Sequence, residues 1–148
     1  MLIVCALWLA SCRRSAGSTS VSGAPDGQND TLFYQQRGVC FGKCPEFELV
    51  IYRDGRAVLD GARNVDHLGT FQADASPSDY QSILDVCEEI GFMQLEDVYD
   101  NEMVTDLPTI TTRLNLNGAM KQVKARYKAP SGLNALNHAV DAYIDDAT

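Results

Sequence analysis

Lysine and arginine are scarce in this chain of 148 residues, which has 12 of them against 20 aspartates and glutamates. The formal net charge at pH 7 is −8. Binding to nucleic acid begins with the neutralisation of phosphates by clustered Lys and Arg, so this balance argues against nucleic acid as a partner. Attachment to anionic lipid headgroups by charge alone is disfavoured for the same reason.

The few basic residues are also unevenly spread along the chain. No Lys or Arg occurs between Arg63 and Arg113, and that stretch holds eleven of the acidic residues. Summed charge reports on solubility and steering more than on a site. We interpret this separation of acidic from basic residues as a property of two solvent-exposed faces rather than as a docking signal.

Motifs of catalysis and metal binding are missing as well. The chain has no G-x-S-x-G nucleophile elbow and no H-E-x-x-H zinc motif. Two cysteines with a distant His67 or His138 make no recognisable zinc pattern. The acidic stretch 96–106 lacks the ligand order of an EF-hand, and we interpret it as a solvated loop. We predict no cofactor and no metal.

A hydrophobic run long enough to span a bilayer is absent. The N-terminal run covers only residues 2–9, whereas a membrane-spanning helix needs roughly 20 apolar residues. The run is typical of a signal peptide, although no Lys or Arg precedes it. It ends in Leu9-Ala10-Ser11-Cys12, which resembles a bacterial lipobox. We predict a signal peptide over residues 1–11 and a lipid on the thiol of Cys12.

The segment after Cys12 is rich in Ser and Gly and has almost no large apolar side chain. Such a composition is typical of a flexible tether, and we assign residues 12–30 to the lipidated cysteine and this tether. Residues 31–148 are predicted to form a single α+β domain. The domain would be lipid-anchored in the cell envelope, on the periplasmic side of a membrane or at the cell surface.

A first hairpin is predicted where Asp54-Gly55 separates two β-rich runs. A two-residue turn at this step pairs Ile51 with Val58 and leaves both faces of the hairpin apolar. We therefore expect the hairpin to lie inside the sheet or to be covered on both faces. A further strand is predicted over residues 65–71.

A second hairpin is predicted at Asn117-Gly118. Its two-residue turn pairs Leu114 with Lys121 on the buried face. The opposite face, where water is expected, then carries three basic side chains that form a candidate interaction surface: Arg113, Lys124 and Arg126.

Two helices complete the predicted domain. The first has a capping Ser76 followed by Pro77, and it ends at Gly91; the second begins near Ser131. Cys87 lies in the apolar stripe of the first helix, and we interpret it as a small core residue. The order β-β-β-(β)-α-β-β-α predicts an α+β fold, an antiparallel sheet of two or more hairpins with two helices packed on it.

A cysteine pair precedes the first hairpin. Cys40 and Cys44 flank Gly42, and Pro45 closes the turn, so the two thiols can come within disulfide range. We interpret the pair as a structural disulfide. A redox role is the alternative, but the spacing differs from the C-x-x-C of thioredoxin-like proteins.

The same segment, Cys40-Phe41-Gly42-Lys43-Cys44-Pro45, is followed by Phe47, by Asp54-Gly55 and by a later Thr105-Asp106-Leu107-Pro108. In these residues the chain resembles a family of exported and lipid-anchored bacterial proteins classed as a domain of unknown function. Its signature is C-x-G-x-C-P-x-aromatic, then a strand, then D-G. The resemblance covers residues 31–146. It implies an envelope-associated α+β domain with no assigned activity and no catalytic residues.

These observations predict a bacterial lipoprotein that acts as a binding or structural module of the cell envelope. Its contacts would be the membrane, through the lipid on Cys12, and an envelope protein or a small ligand. The alternative is an envelope enzyme, either thiol-dependent through Cys40 and Cys44 or hydrolytic through an acidic cleft. We favour the binding module over the enzyme.

Overall fold

A computed structural model describes residues 30–147 of the chain. The predicted signal peptide and Cys12 lie outside the described residues, so both remain predictions. No helix within residues 30–147 is long and apolar enough to cross a membrane.

The described part of the chain folds into a sheet of seven strands with two α-helices. The elements in chain order are β1 (Thr31–Arg37), β2 (Glu46–Tyr52), β3 (Arg56–Arg63), β4 (Gly69–Asp74), α1 (Gln81–Glu89), β5 (Val98–Tyr99), β6 (Ile110–Leu116), β7 (Ala119–Ala125) and α2 (Gly132–Ala147).

The strands lie in the order β4-β3-β2-β1-β6-β7-β5. All neighbouring strands are antiparallel except β5 and β7, which are parallel. The predicted α+β class is confirmed, and the sheet is mixed because of β5. This two-residue strand lies inside the segment 96–106, which we predicted from the sequence to be a solvated loop.

The first hairpin lies inside the sheet, but its predicted register is wrong by one residue. Ile51 pairs with Ala57 rather than with Val58. The Gly55 N–H donates to the Tyr52 carbonyl at 3.2 Å, and Gly55 has a φ of 88°. This is a three-residue loop, a type I turn followed by a left-handed glycine, and its extra residue shifts the pairing.

The second hairpin has the predicted register. Asn117 and Gly118 have φ values of 52° and 81°, as a type I′ turn requires. Leu114 pairs with Lys121. The basic side chains Arg113 and Lys124 therefore lie on the opposite face of the sheet from Leu114, as predicted.

Helix α1 begins later than predicted, at Gln81. The backbone N–H and the hydroxyl of Ser76 donate to Asp79 Oδ2 at 2.7 and 2.9 Å. These bonds close a turn ahead of the helix instead of capping its first turn. Gly91, with a φ of 62°, ends the helix as predicted.

Both helices pack on the same face of the sheet and enclose the core. The largest fully buried side chains include Phe33, Leu49, Ile51, Ile83, Phe92, Leu114 and Leu136. The opposite face of the sheet is not covered by any element among residues 30–147, and side chains there, such as Tyr34 and Val50, are half-buried.

Strand β1, in the middle of the sheet, also carries a buried cation to the helix side. Arg37 is 6% exposed. Its Nη1 lies 2.8 Å from Asp141 Oδ1, its Nη2 donates to the Asn137 carbonyl at 2.9 Å, and its Nε donates to Gln35 Oε1 at 3.1 Å. The guanidinium carbon also lies 4.8 Å from the centroid of the Phe47 ring. All three nitrogens of the guanidinium thus have an oxygen partner.

The neighbouring Gln35 extends this network. Its side chain is fully buried, and its amide donates to Asn137 Oδ1 at 3.1 Å and to Thr112 Oγ1 at 3.2 Å. Burial lowers the pKa of Arg37, and Asp141 opposes that shift. Because a buried cation is tolerated only when it is paired and hydrogen-bonded, α2 must lie where Asn137 and Asp141 reach β1.

This network predicts a large loss of stability for Arg37→Met. The substitution leaves Asp141, the Asn137 carbonyl and Gln35 Oε1 without their donor, so we expect the free energy of unfolding to fall by about 2 to 4 kcal/mol. Arg63→Met is the matched control, since it breaks the exposed Arg63–Glu46 pair at 3.0 Å, which is worth about 0 to 1 kcal/mol. Urea unfolding measures both, and equal losses would contradict the role given to the network.

Cys87 predicts a pH dependence of stability. Burial raises its pKa from 9.0 to about 12. The folded state therefore keeps the thiol proton where the unfolded chain releases it, so the contribution is complete below pH 9 and is lost as the pH rises toward 12. We expect the stability difference between the unmodified chain and Cys87→Ala, measured by urea unfolding, to shrink over this range. A difference that does not change with pH would show that Cys87 is not buried in this way.

Candidate functional site

The candidate site is a groove that begins at the end of β3, where the chain folds back on itself. Residues 64–67 approach Gly61 so closely that a Cβ there would lie 1.9 Å from the His67 carbonyl oxygen. Asn64 joins this loop to the neighbouring one by donating its Nδ2 to the Cys44 carbonyl at 3.0 Å. Strand β4 begins only after this loop, at Gly69. The strand predicted over residues 65–71 therefore starts later in the chain than predicted.

Helix α2 leaves the outer strands β3 and β4 only partly covered. Two clefts of about 190 and 140 Å³ lie between the C-terminal half of α2 and these strands, and both are lined by Leu59 and Ile144. A third cleft of about 540 Å³ shares Tyr143 and Ala147 with the second and extends to the start of α1. We call these three adjoining clefts the groove.

The sheet side of the groove is apolar. Phe47, Leu59 and Val65 line its first cleft, and Phe71 and Ala73 line the second. The ring of Phe71 meets the ring of His67 edge-on, at 5.6 Å between centroids, and still leaves 39% of the residue exposed. This surface can bury apolar groups of a ligand.

The rim of the groove is acidic. Its aspartates come from the loop after β3, from β4, from the turn before α1 and from α2: Asp66, Asp74, Asp79, Asp141, Asp145 and Asp146. No Lys or Arg of the described chain lines any of the three clefts. The C-terminal end of α2 at Ala147 adds the partial negative charge of the helix dipole. The groove therefore attracts cations.

One polar side chain in the groove lacks a partner. Tyr143 is 5% exposed, and within residues 30–147 its buried hydroxyl has no hydrogen-bond partner. Burial raises the pKa of Tyr143, and the negative charge of Asp79 raises it further. The hydroxyl is therefore a buried hydrogen-bonding group in the wall of the groove whose capacity is not used within the described residues.

The cysteine pair lies beside the groove. Cys40 and Cys44 form the predicted disulfide, with their Cα atoms 5.9 Å apart. Pro45, which follows the bridge, lines the first cleft. Phe41 at the tip of the bridged loop is 92% exposed, and its N–H donates to the Asp106 carbonyl at 3.2 Å.

Two of the basic residues predicted as an interaction surface on the second hairpin make hydrogen bonds within the domain. Arg113 donates from Nη2 to Gln122 Oε1 at 2.8 Å. Arg126 donates from Nε to Asp100 Oδ1 at 2.6 Å, and this bond lowers the pKa of Asp100. Lys124 is exposed. Two of the three predicted contact residues are thus already engaged within the domain.

Metal coordination has no candidate in this part of the chain. Residues 30–147 contain no group of three or more His, Cys, Asp or Glu side chains that could hold a metal ion.

The groove was not predicted from the sequence, because its lining comes from segments that are distant in the chain. Two signals pointed to it. One is the lack of Lys and Arg between Arg63 and Arg113, which we interpreted as a property of solvent-exposed faces. The other is that residues 132–147, which form α2, contain three aspartates and no Lys or Arg.

The comparison with known proteins places this unit in a family. No curated protein sequence matches the chain. A family model described as a domain of unknown function, DUF6438, matches residues 31–144, from β1 into the last turns of α2. This confirms the predicted resemblance to a family of that kind, while the C-x-G-x-C-P signature itself remains a prediction. The chain belongs to the DUF6438 family of domains of unknown function.

Proposed function

We propose that the chain is a small bacterial lipoprotein of the cell envelope, tethered through Cys12, whose domain is a binding module with the groove as its contact surface. The observation that carries the proposal is the Cys40–Cys44 disulfide on a surface loop. Such disulfides persist in oxidising compartments and are rare in the cytosol. The lipobox-like sequence Leu9-Ala10-Ser11-Cys12 agrees with export to such a compartment.

The position of β1 suits a tethered domain. The tether would enter at Thr31, and the disulfide loop follows Arg37 at the other end of the strand. A strand of seven residues spans roughly 23 Å. The first cleft, beside Pro45, lies at this far end, so a membrane anchor ahead of Thr31 leaves that part of the groove accessible to partners in the envelope.

The lipid anchor predicts a specific effect of Cys12→Ala. Without the thiol, no diacylglycerol is attached, and we expect an unprocessed precursor that incorporates no labelled palmitate. Cys5→Ala is the matched control, because Cys5 lies within the predicted signal peptide and should leave processing unchanged. Gel mobility and palmitate labelling measure both variants, with globomycin as an independent block of cleavage. Normal maturation of Cys12→Ala would contradict the lipoprotein proposal.

The disulfide predicts how many thiols react. In the protein isolated from the envelope without reductant and then denatured, we expect iodoacetamide to label Cys87 and neither Cys40 nor Cys44. Labelling of the pair should appear only after reduction, and Cys40→Ser should lower the free energy of unfolding by about 1 to 2 kcal/mol. Free Cys40 and Cys44 thiols in the isolated protein would instead favour the thiol-dependent enzyme.

A further inference from the structure

We propose that the groove binds an extended segment of a partner polypeptide in which Lys or Arg side chains are interspersed with apolar ones. This inference rests on the proposed role of the groove as the contact surface, but it does not depend on the lipid anchor. Three features of the groove carry it: its charge, the free edge of β4 beside it and the unpartnered hydroxyl of Tyr143.

Charge complementarity selects a cationic partner. The six rim aspartates surround an apolar surface on which no Lys or Arg is found among the described residues. Of these six aspartates, Asp141 alone has a cationic partner within residues 30–147, the buried guanidinium of Arg37. The rim attracts Lys and Arg side chains and repels an acidic segment. Apolar residues that lie between the Lys and Arg residues of the partner can be buried against the apolar surface of the groove.

The unpaired backbone edge of the sheet favours a polypeptide over a small cation as the ligand. β4 is the outermost strand on this side, and its outer backbone edge pairs with no strand among residues 30–147. All six residues of β4 are exposed, and Phe71 and Ala73 face the groove. An extended segment can pair with this edge through its backbone and place side chains beside Phe71.

Tyr143 provides a polar anchor point for the same segment. Tyr143 and Asp79 both line the third cleft, so an ammonium or guanidinium group that enters there meets the Asp79 carboxylate and, once the Tyr143 side chain moves to expose it, the Tyr143 hydroxyl. The entering donor would give the buried hydroxyl the partner that it lacks within the domain.

Fluorescence anisotropy with labelled peptides of equal length tests this inference on the full chain in non-ionic detergent. The three probes are an evenly mixed Leu/Lys peptide, a Leu/Glu peptide and a Ser/Lys peptide. We expect the Leu/Lys peptide to bind at least tenfold more tightly than either of the others, and its affinity to fall as salt increases. Equal binding of the Leu/Glu peptide would overturn the charge argument, and equal binding of the Ser/Lys peptide would overturn the role of the apolar surface.

Two double variants, one at the rim of the groove and one outside it, locate the binding site. Asp145→Asn/Asp146→Asn removes two rim charges and should weaken Leu/Lys binding roughly three- to tenfold. Glu88→Gln/Glu89→Gln removes the same charge from exposed positions of α1 that line none of the clefts, and it should leave binding unchanged. Equal effects of the two pairs would show that net charge alone attracts the peptide and would overturn the groove site.

Two single substitutions test the apolar surface. Phe71→Thr should weaken Leu/Lys binding, whereas Met120→Thr, on the exposed side of β7, should not. If the chain instead forms dimers that Phe71→Thr abolishes, the occupant is a second copy and the proposed partner is wrong. These binding results are independent of palmitate labelling, so failure of the peptide test and failure of the lipid anchor are distinguishable.

Discussion

The buried guanidinium of Arg37 is the interaction on which the arrangement of sheet and helices depends. It lies on the central strand, and its hydrogen bonds reach α2 at two positions one turn apart, the carbonyl of Asn137 and the carboxylate of Asp141. An apolar contact tolerates sliding, but a buried cation does not, because each lost partner leaves an unsatisfied group. The network therefore fixes the position of α2 across β1.

The groove follows from that position. Helix α2, held over the middle of the seven-stranded sheet, does not also cover the outer strands, so β3 and β4 keep an incompletely covered apolar face. The C-terminal half of α2 forms the opposite wall and brings its aspartates to the rim. Asp141 belongs to both features, since its carboxylate pairs with Arg37 and lines the first cleft.

Local patterns predicted most of the fold, and long-range packing set the rest. Asn117-Gly118 determined its hairpin register, because both residues adopt the left-handed conformation that a type I′ turn needs. Asp54-Gly55 did not, since the same dipeptide also fits a three-residue loop, and only the pairing of Ile51 with Ala57 distinguishes the two. The disulfide was predictable from its spacing. The groove was not, because it depends on where Arg37 holds α2.

Hydrogen exchange of the full chain, with and without the Leu/Lys peptide, tests most directly whether the groove is the contact surface. A segment that pairs with β4 and contacts the end of α2 should slow exchange of the amides in Gly69–Asp74 and in the last turns of α2. Exchange in the hairpin of β6 and β7 should not change. Slowed exchange confined to that hairpin, around Lys124, would place the contact surface on the opposite face of the sheet and contradict a site in the groove.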